Sequence, residues 1–217
     1  GGFTGDERSW YEVAAESRRH VLDEVLVAEV DRLAAVAHEI CQDHLRLRDY
    51  SRRGLADALD ELLIAMHVYR AYVVPGEEPP PESVALLEQA AAQARERSPD
   101  RAAEVDLLRD LALGRLGRGR HRDEFVVRFQ QTSGPVAAKG VEDTACYRWF
   151  PLSALCEVGG EPDRFGVTPE EFHAWAAERQ ETWPYAMNSL STHDTKRSED
   201  VRARLAAVSE IPGEWAH

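Results

Sequence analysis

The chain has 217 residues, of which 43% are hydrophobic, enough to bury a sizeable core in one large domain or two small ones. Its 39 acidic and 26 basic residues give a formal net charge of −13, which disfavours nucleic acid and anionic membrane surfaces as partners. No apolar run approaches the roughly 18–20 residues that a membrane-spanning helix needs. Three cysteines without metal-ligand spacing, Cys41, Cys146 and Cys156, favour buried thiols in a reducing, cytoplasmic location.

The start of the chain carries neither a methionine nor a signal-peptide core. Gly1-Gly2 leads almost at once into a helical pattern, as it would in a piece of a longer protein. We therefore expect the chain to be a piece of a longer protein.

The first half of the chain has the periodicity of packed helices. Apolar residues recur at helical spacing over 10–47 and again over 55–66, followed by an extended exit over 67–74 that closes at Pro75-Gly76. Further helices are predicted over 82–97 and from Pro99 to about residue 112. These patterns predict a helical subdomain over residues 1–120.

The second half contains short apolar runs that lead into charged or glycine-rich loops. The run 135–138 is typical of a buried strand, and Thr132-Ser133-Gly134-Pro135 is typical of a turn, whereas the run 152–158 is apolar and ends at Gly159-Gly160. Small and polar residues over 188–191 suit a strand end or loop, which places Asp194 at the C-terminal end of a strand. Thr168-Pro169-Glu170-Glu171 predicts a capped helix that carries Phe172 and Trp175 inward. The expected fold is therefore mainly α, with a partial (β/α) barrel segment of two or three short strands over 121–217.

Two charged loops are the candidate functional elements. One follows the run ending at Ala138 and carries Lys139, Glu142 and Asp143; the other carries His193, Asp194, Lys196 and Arg197. Strand ends followed by charged loops are how α/β barrels present reactive groups on one rim. Ser198, Glu199 and Asp200 then open a helix, with Ser198 as the expected cap.

Four short sequence motifs, in this order along the chain, resemble those of maltooligosyltrehalose synthase, a member of the α-amylase superfamily. They are Ala138-Lys139-Gly140-Val141-Glu142-Asp143-Thr144, Glu157-Val158-Gly159-Gly160, Glu171-Phe172-His173 and Ser191-Thr192-His193-Asp194-Thr195-Lys196-Arg197-Ser198-Glu199-Asp200-Val201-Arg202. The resemblance covers about residues 135–215, and it suggests a C-terminal part of the catalytic region. The chain departs from the family's usual residues at Cys146 and Cys156, where Phe and Asn are usual.

The resemblance implies an intramolecular transglucosylation in trehalose biosynthesis, with a maltooligosaccharide as substrate. The reducing-end α-1,4 linkage becomes an α,α-1,1 linkage by a retaining mechanism with a nucleophilic carboxylate, an acid/base and a third, stabilising carboxylate. It implies that third role for Asp194, with His193, Lys139 and Lys196 binding the sugar. Glu142, Asp143 and Arg197 are candidates for a supporting role.

The resemblance also implies what this chain lacks. In this superfamily the nucleophile and the acid/base lie earlier in the sequence than the His-Asp motif, which is His193-Asp194 here. Nothing before Lys139 resembles the motifs that carry those two residues. We therefore expect the isolated chain to be inactive and to need the rest of the catalytic barrel as a partner. The trehalohydrolase that acts next in the pathway is a further candidate partner, and neither a cofactor nor a metal is expected.

Two other interpretations fit parts of the sequence. Adjacent His193 and Asp194 also occur as metal ligands in His-Asp phosphohydrolases, with His38 and His44 as upstream candidates. Bound metal at His193 would favour that reading. A helical interaction module would explain residues 1–115, but not the charged loops that follow.

Overall fold

A computed structural model of the chain describes residues 5–215, which form two compact units. We call residues 14–144 the helical unit, and residues 5–13 together with 145–215 the loop unit. The α-helices of the described residues are α1 (Trp10–Glu24), α2 (Val27–Gln42), α3 (Arg52–Ala65), α4 (Pro81–Arg97), α5 (Ala102–Ala112), α6 (Arg120–Val136), α7 (Pro169–Thr182), α8 (Glu199–Ala207) and α9 (Pro212–Trp215).

The helical unit is a bundle in which α3 contacts α2, α4, α5 and α6. Its helices form where the periodicity of the sequence predicts them, and Ser51 caps α3 by accepting a 3.0 Å hydrogen bond from Gly54 N. The pattern over 10–47 divides into two helices at Val25 and Leu26. The largest fully buried side chains all belong to this unit: Leu33, Leu55, Leu59, Leu62, Leu63, Met66, Leu87, Leu108, Leu111, Leu113, Phe125 and Phe129.

The loop unit consists of short helical turns and loops around three peripheral helices. Single 3₁₀ turns form at Ala145–Tyr147, Ser153–Leu155 and Val208–Glu210, and α8 contacts the second of them. Trp10 and Trp149 pack edge to face, with ring centroids 6.0 Å apart. Within the described part of the chain, α7, α8 and α9 have no buried residue.

The predicted partial barrel is wrong, because no β-strand is present anywhere in residues 5–215. The run 152–158 forms the 3₁₀ turn at Ser153–Leu155 and a loop, and the segment before His193 is irregular. A strand is stable only when a neighbour satisfies its backbone groups. The described residues are therefore all helix, turn and loop. The predicted domain boundary at residue 120 stays a prediction.

The predicted turn and strand at 132–138 are instead the end of α6 and a π-helix at Ala137–Glu142. Pro135 lies inside α6, where proline usually costs about 3 kcal/mol. Burying Phe125, Phe129 and Val136 on α6 outweighs that cost, since each large apolar side chain contributes roughly 1.5–3 kcal/mol. Tertiary packing therefore overrides the local signal of the turn residues.

The hydroxyls of this segment also bond within the helical structure. Thr132 Oγ1 donates to the carbonyl of Arg128 at 2.9 Å, and Ser133 Oγ donates to the carbonyl of Tyr69 at 2.6 Å. Both side chains are buried. They satisfy backbone carbonyls rather than start a turn.

Candidate functional site

His193 and Asp194 lie on an exposed turn just before α8. Asp194 N donates to Thr192 Oγ1 at 3.3 Å, and Thr195 Oγ1 donates to the carbonyl of Thr192 at 2.8 Å. His193 Nε2 is 3.3 Å from Asp194 Oδ2, and the two side chains are 89% and 68% exposed. The turn thus presents an imidazole and a carboxylate side by side, although the strand expected before Asp194 is absent from the described residues.

Glu157 anchors this turn to the rest of the loop unit. Its Oε1 accepts a 2.8 Å hydrogen bond from Lys196 N, and its Oε2 lies 3.0 Å from Arg202 Nη1 on α8. The Glu157 side chain is only 17% exposed. One carboxylate therefore fixes both the end of the turn and the helix that follows it.

The electrostatics of Glu157 match this anchoring role. Burial raises the pKa of its carboxyl, but the backbone N–H groups of Lys196 and Val158 and the Arg202 guanidinium together lower that pKa below its usual value. Glu157 therefore stays ionised at neutral pH. Glu157 is part of one of the motifs that resemble the family, but the sequence did not predict that it anchors the turn. A single acidic residue before Val158-Gly159-Gly160 gives no local indication of contacts with residues 196 and 202.

Arg197 forms the second link between the turn and the preceding loop. Its Nη1 donates to the carbonyls of Ser153 and Cys156, each at 3.4 Å, and its guanidinium carbon lies 5.8 Å from the Tyr147 ring centroid. These contacts give Arg197 a positioning role within the loop unit.

The first turn of α8 is held differently from the prediction. Ser198 makes no side-chain capping bond and donates instead to Asp200 Oδ1 at 2.7 Å. Glu199 N donates to Ser191 Oγ at 3.1 Å, and Ser191 Oγ donates to the Glu199 carboxylate. The hydrogen bond from Ser191 lowers the pKa of Glu199. Ser191, before the turn, thus takes the place expected for Ser198.

The other charged group lies in the helical unit, on and beside the π-helix Ala137–Glu142. Lys139 Nζ is 2.8 Å from Asp143 Oδ2, and the carbonyl of Lys139 accepts a 2.8 Å hydrogen bond from Thr144 Oγ1. Glu142 accepts a hydrogen bond from the Tyr69 hydroxyl. The Lys139 and Asp143 side chains are 58% and 42% exposed.

The structure thus brings the predicted site residues together in two groups. His193, Asp194, Lys196 and Arg197 share one turn of the loop unit, whereas Lys139, Glu142 and Asp143 share one segment of the helical unit. That both groups line one cleft stays a prediction.

Two further expectations concern metal ligands and aromatic side chains. Residues 5–215 contain no group of three or more His, Cys, Asp or Glu side chains that could hold a metal ion. Phe172 and Trp175 do not face a core as predicted, since 52% and 53% of their surfaces are exposed. Trp183 is also exposed, whereas Trp149 packs on Trp10.

No described helix is long and apolar enough to cross a bilayer.

Comparison with known proteins identifies what this arrangement is similar to. No protein-family model matches the chain. Two curated relatives from Mycobacterium tuberculosis strains, both provisionally described as maltooligosyl trehalose synthases, are each 47% identical to it over 136 residues. That match covers 63% of this chain and 17% of the relatives' length, in a C-terminal part of them.

Solved structures of maltooligosyltrehalose synthases are similar to nearly the whole chain. The maltooligosyltrehalose synthase from Arthrobacter ramosus matches 97% of this chain with a TM-score of 0.80 and 36% identity. The resemblance to maltooligosyltrehalose synthase is confirmed. A glycosyltrehalose synthase from strain DSM5389 matches 99% of the chain with a TM-score of 0.67 and 29% identity. This chain covers 25% and 23% of those two synthases.

The similarity to maltooligosyltrehalose synthase decides among the interpretations of the sequence. It favours the resemblance to maltooligosyltrehalose synthase over the His-Asp phosphohydrolase and over a helical interaction module. The chain spans only about a sixth to a quarter of the length of these relatives, so it is similar to one part of a maltooligosyltrehalose synthase.

Proposed function

We propose that this chain is part of an enzyme that isomerises the reducing-end α-1,4 linkage of a maltooligosaccharide to an α,α-1,1 linkage. The observation that carries the proposal is the match of 97% of the chain to the A. ramosus synthase at 36% identity. The product of this intramolecular transglucosylation carries a trehalose unit at its end.

Asp194 is the residue to which we assign a catalytic role. Its carboxylate is exposed on the turn before α8, beside His193 Nε2. A negative charge held in place beside the anomeric carbon would stabilise the positive charge that develops in an oxocarbenium-like transition state. Glu157 and Arg197 would keep the turn in position, which limits the reorganisation needed when the substrate binds.

His193, Lys196 and Lys139 are the proposed sugar-binding residues. His193 is 89% exposed and the Lys139 side chain is 58% exposed, so both can donate hydrogen bonds to sugar hydroxyls. The pairing of Lys139 with Asp143 orients its ammonium group along the π-helix. Glu142, Asp143 and Arg197 would support this arrangement without touching the reacting atoms.

The proposal assigns the nucleophile and the acid/base to the remainder of the catalytic region. The isolated chain should then be inactive, because a stabilising carboxylate acts only when another group attacks the anomeric carbon. Incubation of the purified 217-residue chain with maltopentaose should give no non-reducing product. Turnover comparable to that of a complete synthase would place the nucleophile within this chain and overturn the assignment.

Asp194→Asn in the complete enzyme tests the catalytic role directly. The loss of a preorganised charge should lower kcat on the order of 10²-fold or more, with the unfolding midpoint nearly unchanged. The matched control is Asp200→Asn, which removes the exposed carboxylate that accepts the Ser198 hydroxyl at the start of α8. Near-normal turnover of Asp194→Asn would remove Asp194 from catalysis, and loss of folding would give it a structural role.

The proposed enzyme would work in the cytoplasm. The three cysteines are buried and reduced, which suits a reducing compartment. The partners we propose are the maltooligosaccharide, the remainder of the catalytic region and the trehalohydrolase that would act on the product.

A further inference from the structure

The segment that joins α3 to α4 is held against α6 over residues 67–74. Val73 N donates to Gln130 Oε1 at 3.0 Å, and Gln130 Nε2 donates to the carbonyl of Val73 at 2.7 Å. Ser133 Oγ donates to the carbonyl of Tyr69 at 2.6 Å, and the Val73 side chain belongs to the hydrophobic core. Two side chains of α6 therefore fix the backbone of this segment at two points, within the helical unit.

Tyr72, between these two points, has an unusual backbone conformation. Its φ of 52° lies in the left-handed region, and no other non-glycine residue in the range 5–215 has a positive φ. Its side chain is 69% exposed, and its hydroxyl has no hydrogen-bond partner within the same range. Neither burial nor a hydrogen bond among the described residues therefore compensates the backbone strain. Residues that keep such strain cluster at ligand-binding sites.

Tyr69 connects this segment to the π-helix Ala137–Glu142. Its ring is 41% exposed, and its hydroxyl donates a hydrogen bond to the Glu142 carboxylate. Lys139 of the same π-helix pairs with Asp143, the residue after Glu142, at 2.8 Å. Since π-helical turns are frequent at functional sites, a second irregular element of the backbone lies next to the segment.

The surface formed by Tyr69, Arg70 and Tyr72, which we call the tyrosine surface, combines aromatic rings with charge. Arg70 is exposed, and its guanidinium makes no ion pair with any described residue. A pyranose ring has an apolar C–H face that packs on an aromatic ring, and its hydroxyls accept hydrogen bonds from a guanidinium. An apolar protein partner would instead leave Arg70 buried and unpaired. The chemistry of the surface therefore favours a sugar as its occupant.

We propose that the tyrosine surface binds an α-1,4-linked glucan chain, with Tyr72 as the stacking residue and Arg70 as a donor to sugar hydroxyls. Tyr69 is a positioning residue, because its hydroxyl holds Glu142. The ligand belongs to the substrate class proposed above, so the inference rests on that function and extends it to three further residues of the helical unit. These residues bind the glucan and take no part in making or breaking bonds.

Binding of maltopentaose to the 217-residue chain tests the stacking role, and NMR titration suits the weak affinity expected of an open surface. Tyr72→Gly removes the ring and keeps the backbone conformation, because glycine adopts a positive φ freely. The Kd should rise about fivefold, as the loss of one stacking contact predicts, while the unfolding midpoint does not fall. Tyr72→Phe, which keeps the ring, should bind like the parent chain. The control Tyr11→Ala, which removes a 64% exposed ring on α1, should also leave the Kd unchanged.

Four results would overturn the proposal. They are no binding of maltopentaose by the parent chain, an unchanged Kd in Tyr72→Gly, a lower unfolding midpoint in that variant, which would give the ring a structural role, and equal affinity for β-1,4-linked cellopentaose. If Tyr72→Gly does not fold, Tyr72→Asn repeats the measurement, because asparagine also enters the left-handed region.

Tyr69→Phe tests the positioning role, since it keeps the ring and removes the hydrogen bond to Glu142. The Kd should rise about two- to threefold, and Glu142→Gln should raise it by a similar factor. Because both substitutions act on one hydrogen bond, the double variant should bind no more weakly than the weaker single variant. Additive losses would contradict the positioning role.

Turnover by the complete enzyme separates this inference from the proposed function. Tyr72→Gly should raise KM about fivefold with kcat nearly unchanged, whereas Asp194→Asn should lower kcat. If the 217-residue chain binds maltopentaose but the complete enzyme forms no non-reducing product, the proposed function fails and glucan binding by the tyrosine surface stands. If the complete enzyme is active and Tyr72→Gly leaves KM unchanged, only the inference about the tyrosine surface fails.

Discussion

The helical unit and the loop unit are stabilised by different kinds of interaction. In the helical unit, five helices share a core in which large side chains such as Leu59, Leu108 and Phe129 are fully buried. In the loop unit, α7, α8 and α9 bury none of their described residues, and polar contacts of Glu157 and Arg197 hold the turn that carries His193 and Asp194. A regular apolar pattern therefore yields a packed core only where partner helices are present in the same chain.

The contrast has a counterpart in the comparisons. The chain covers about a quarter of the A. ramosus synthase, and the exposed apolar residues Phe172, Trp175 and Trp183 belong to the loop unit. In the larger enzyme proposed above, we expect such residues to be buried.

Truncating an aromatic ring should separate the two units most clearly. Phe129→Ala removes a fully buried ring that stacks on Phe125, and the cavity should lower the free energy of unfolding by about 3–5 kcal/mol. Phe172→Ala on exposed α7 should change it by less than about 0.5 kcal/mol. Urea unfolding of the 217-residue chain measures both. Equal losses would mean that α7 has a core of its own.

Adding one methyl group tests how tightly each unit is packed. A Cβ at Gly140 of the π-helix would lie 2.8 Å from Arg18 Cα, a backbone atom that cannot move aside cheaply, so Gly140→Ala should cost about 1–3 kcal/mol. A Cβ at Gly166 in the loop unit would meet nothing within 4 Å. Thermal unfolding should show little change for Gly166→Ala, and a neutral Gly140→Ala would contradict the close approach.

Removing the charge of Glu157 tests the polar anchoring of the loop unit. Glu157→Gln leaves Arg202 without its carboxylate and weakens the bond from Lys196 N, which should cost about 1–2 kcal/mol. Faster tryptic cleavage after Lys196 or Arg197 would report the loosened turn. The exposed Glu161→Gln is the control. Unchanged cleavage in Glu157→Gln would show that other contacts hold the turn.

The pH dependence of the helical unit should depend on Asp60. Burial raises the pKa of Asp60 from 3.8 to about 7, so the folded chain keeps a proton that the unfolded chain loses above pH 3.8. Stability should therefore fall as the pH rises through this window. Asp60→Asn removes this fall.

The expected gain from Asp60→Asn is the smallest of the four effects. After discounting for partial solvent exposure, it should stabilise by about 1 kcal/mol at about pH 8 and have almost no effect at about pH 4. Asp31→Asn, which removes a 64% exposed carboxylate on α2, should show no such difference. Urea midpoints at the two pH values measure both variants, and parallel pH profiles for Asp60→Asn and the parent chain would contradict the prediction.

The sequence predicted the helices well where a local cause sufficed. The capping box at Thr168 is present, since Thr168 Oγ1 accepts from Glu171 N at 3.2 Å and Glu171 Oε2 accepts from Thr168 N at 2.8 Å. The apolar spacing of α2 and α3 likewise predicted their buried faces. In both cases the decisive contacts lie within a few residues or along one helix face.

Prediction failed where distant parts of the chain decide. Pro135 reads as a helix breaker, yet burial of Phe129 and Val136 keeps it in α6. Short apolar runs such as 152–158 fit strands or turns equally well until a pairing partner is known. The site also depends on contacts between distant residues. The motifs around Lys139 and Asp194 indicated the family, but only the structure revealed that Glu157 holds the turn.

The π-helix at Ala137–Glu142 has a consequence for how this segment could have arisen. Its wider turn is closed by the hydrogen bond from Asp143 N to the carbonyl of Ala138, five residues back, so it holds one residue more than the α-helical turn would. Deleting a single residue there, such as Val141, would return the turn to the α-helical hydrogen-bonding pattern and place Asp143 three instead of four positions after Lys139. The segment therefore has the geometry of a one-residue insertion, and the ion pair between Lys139 and Asp143 spans that extra residue.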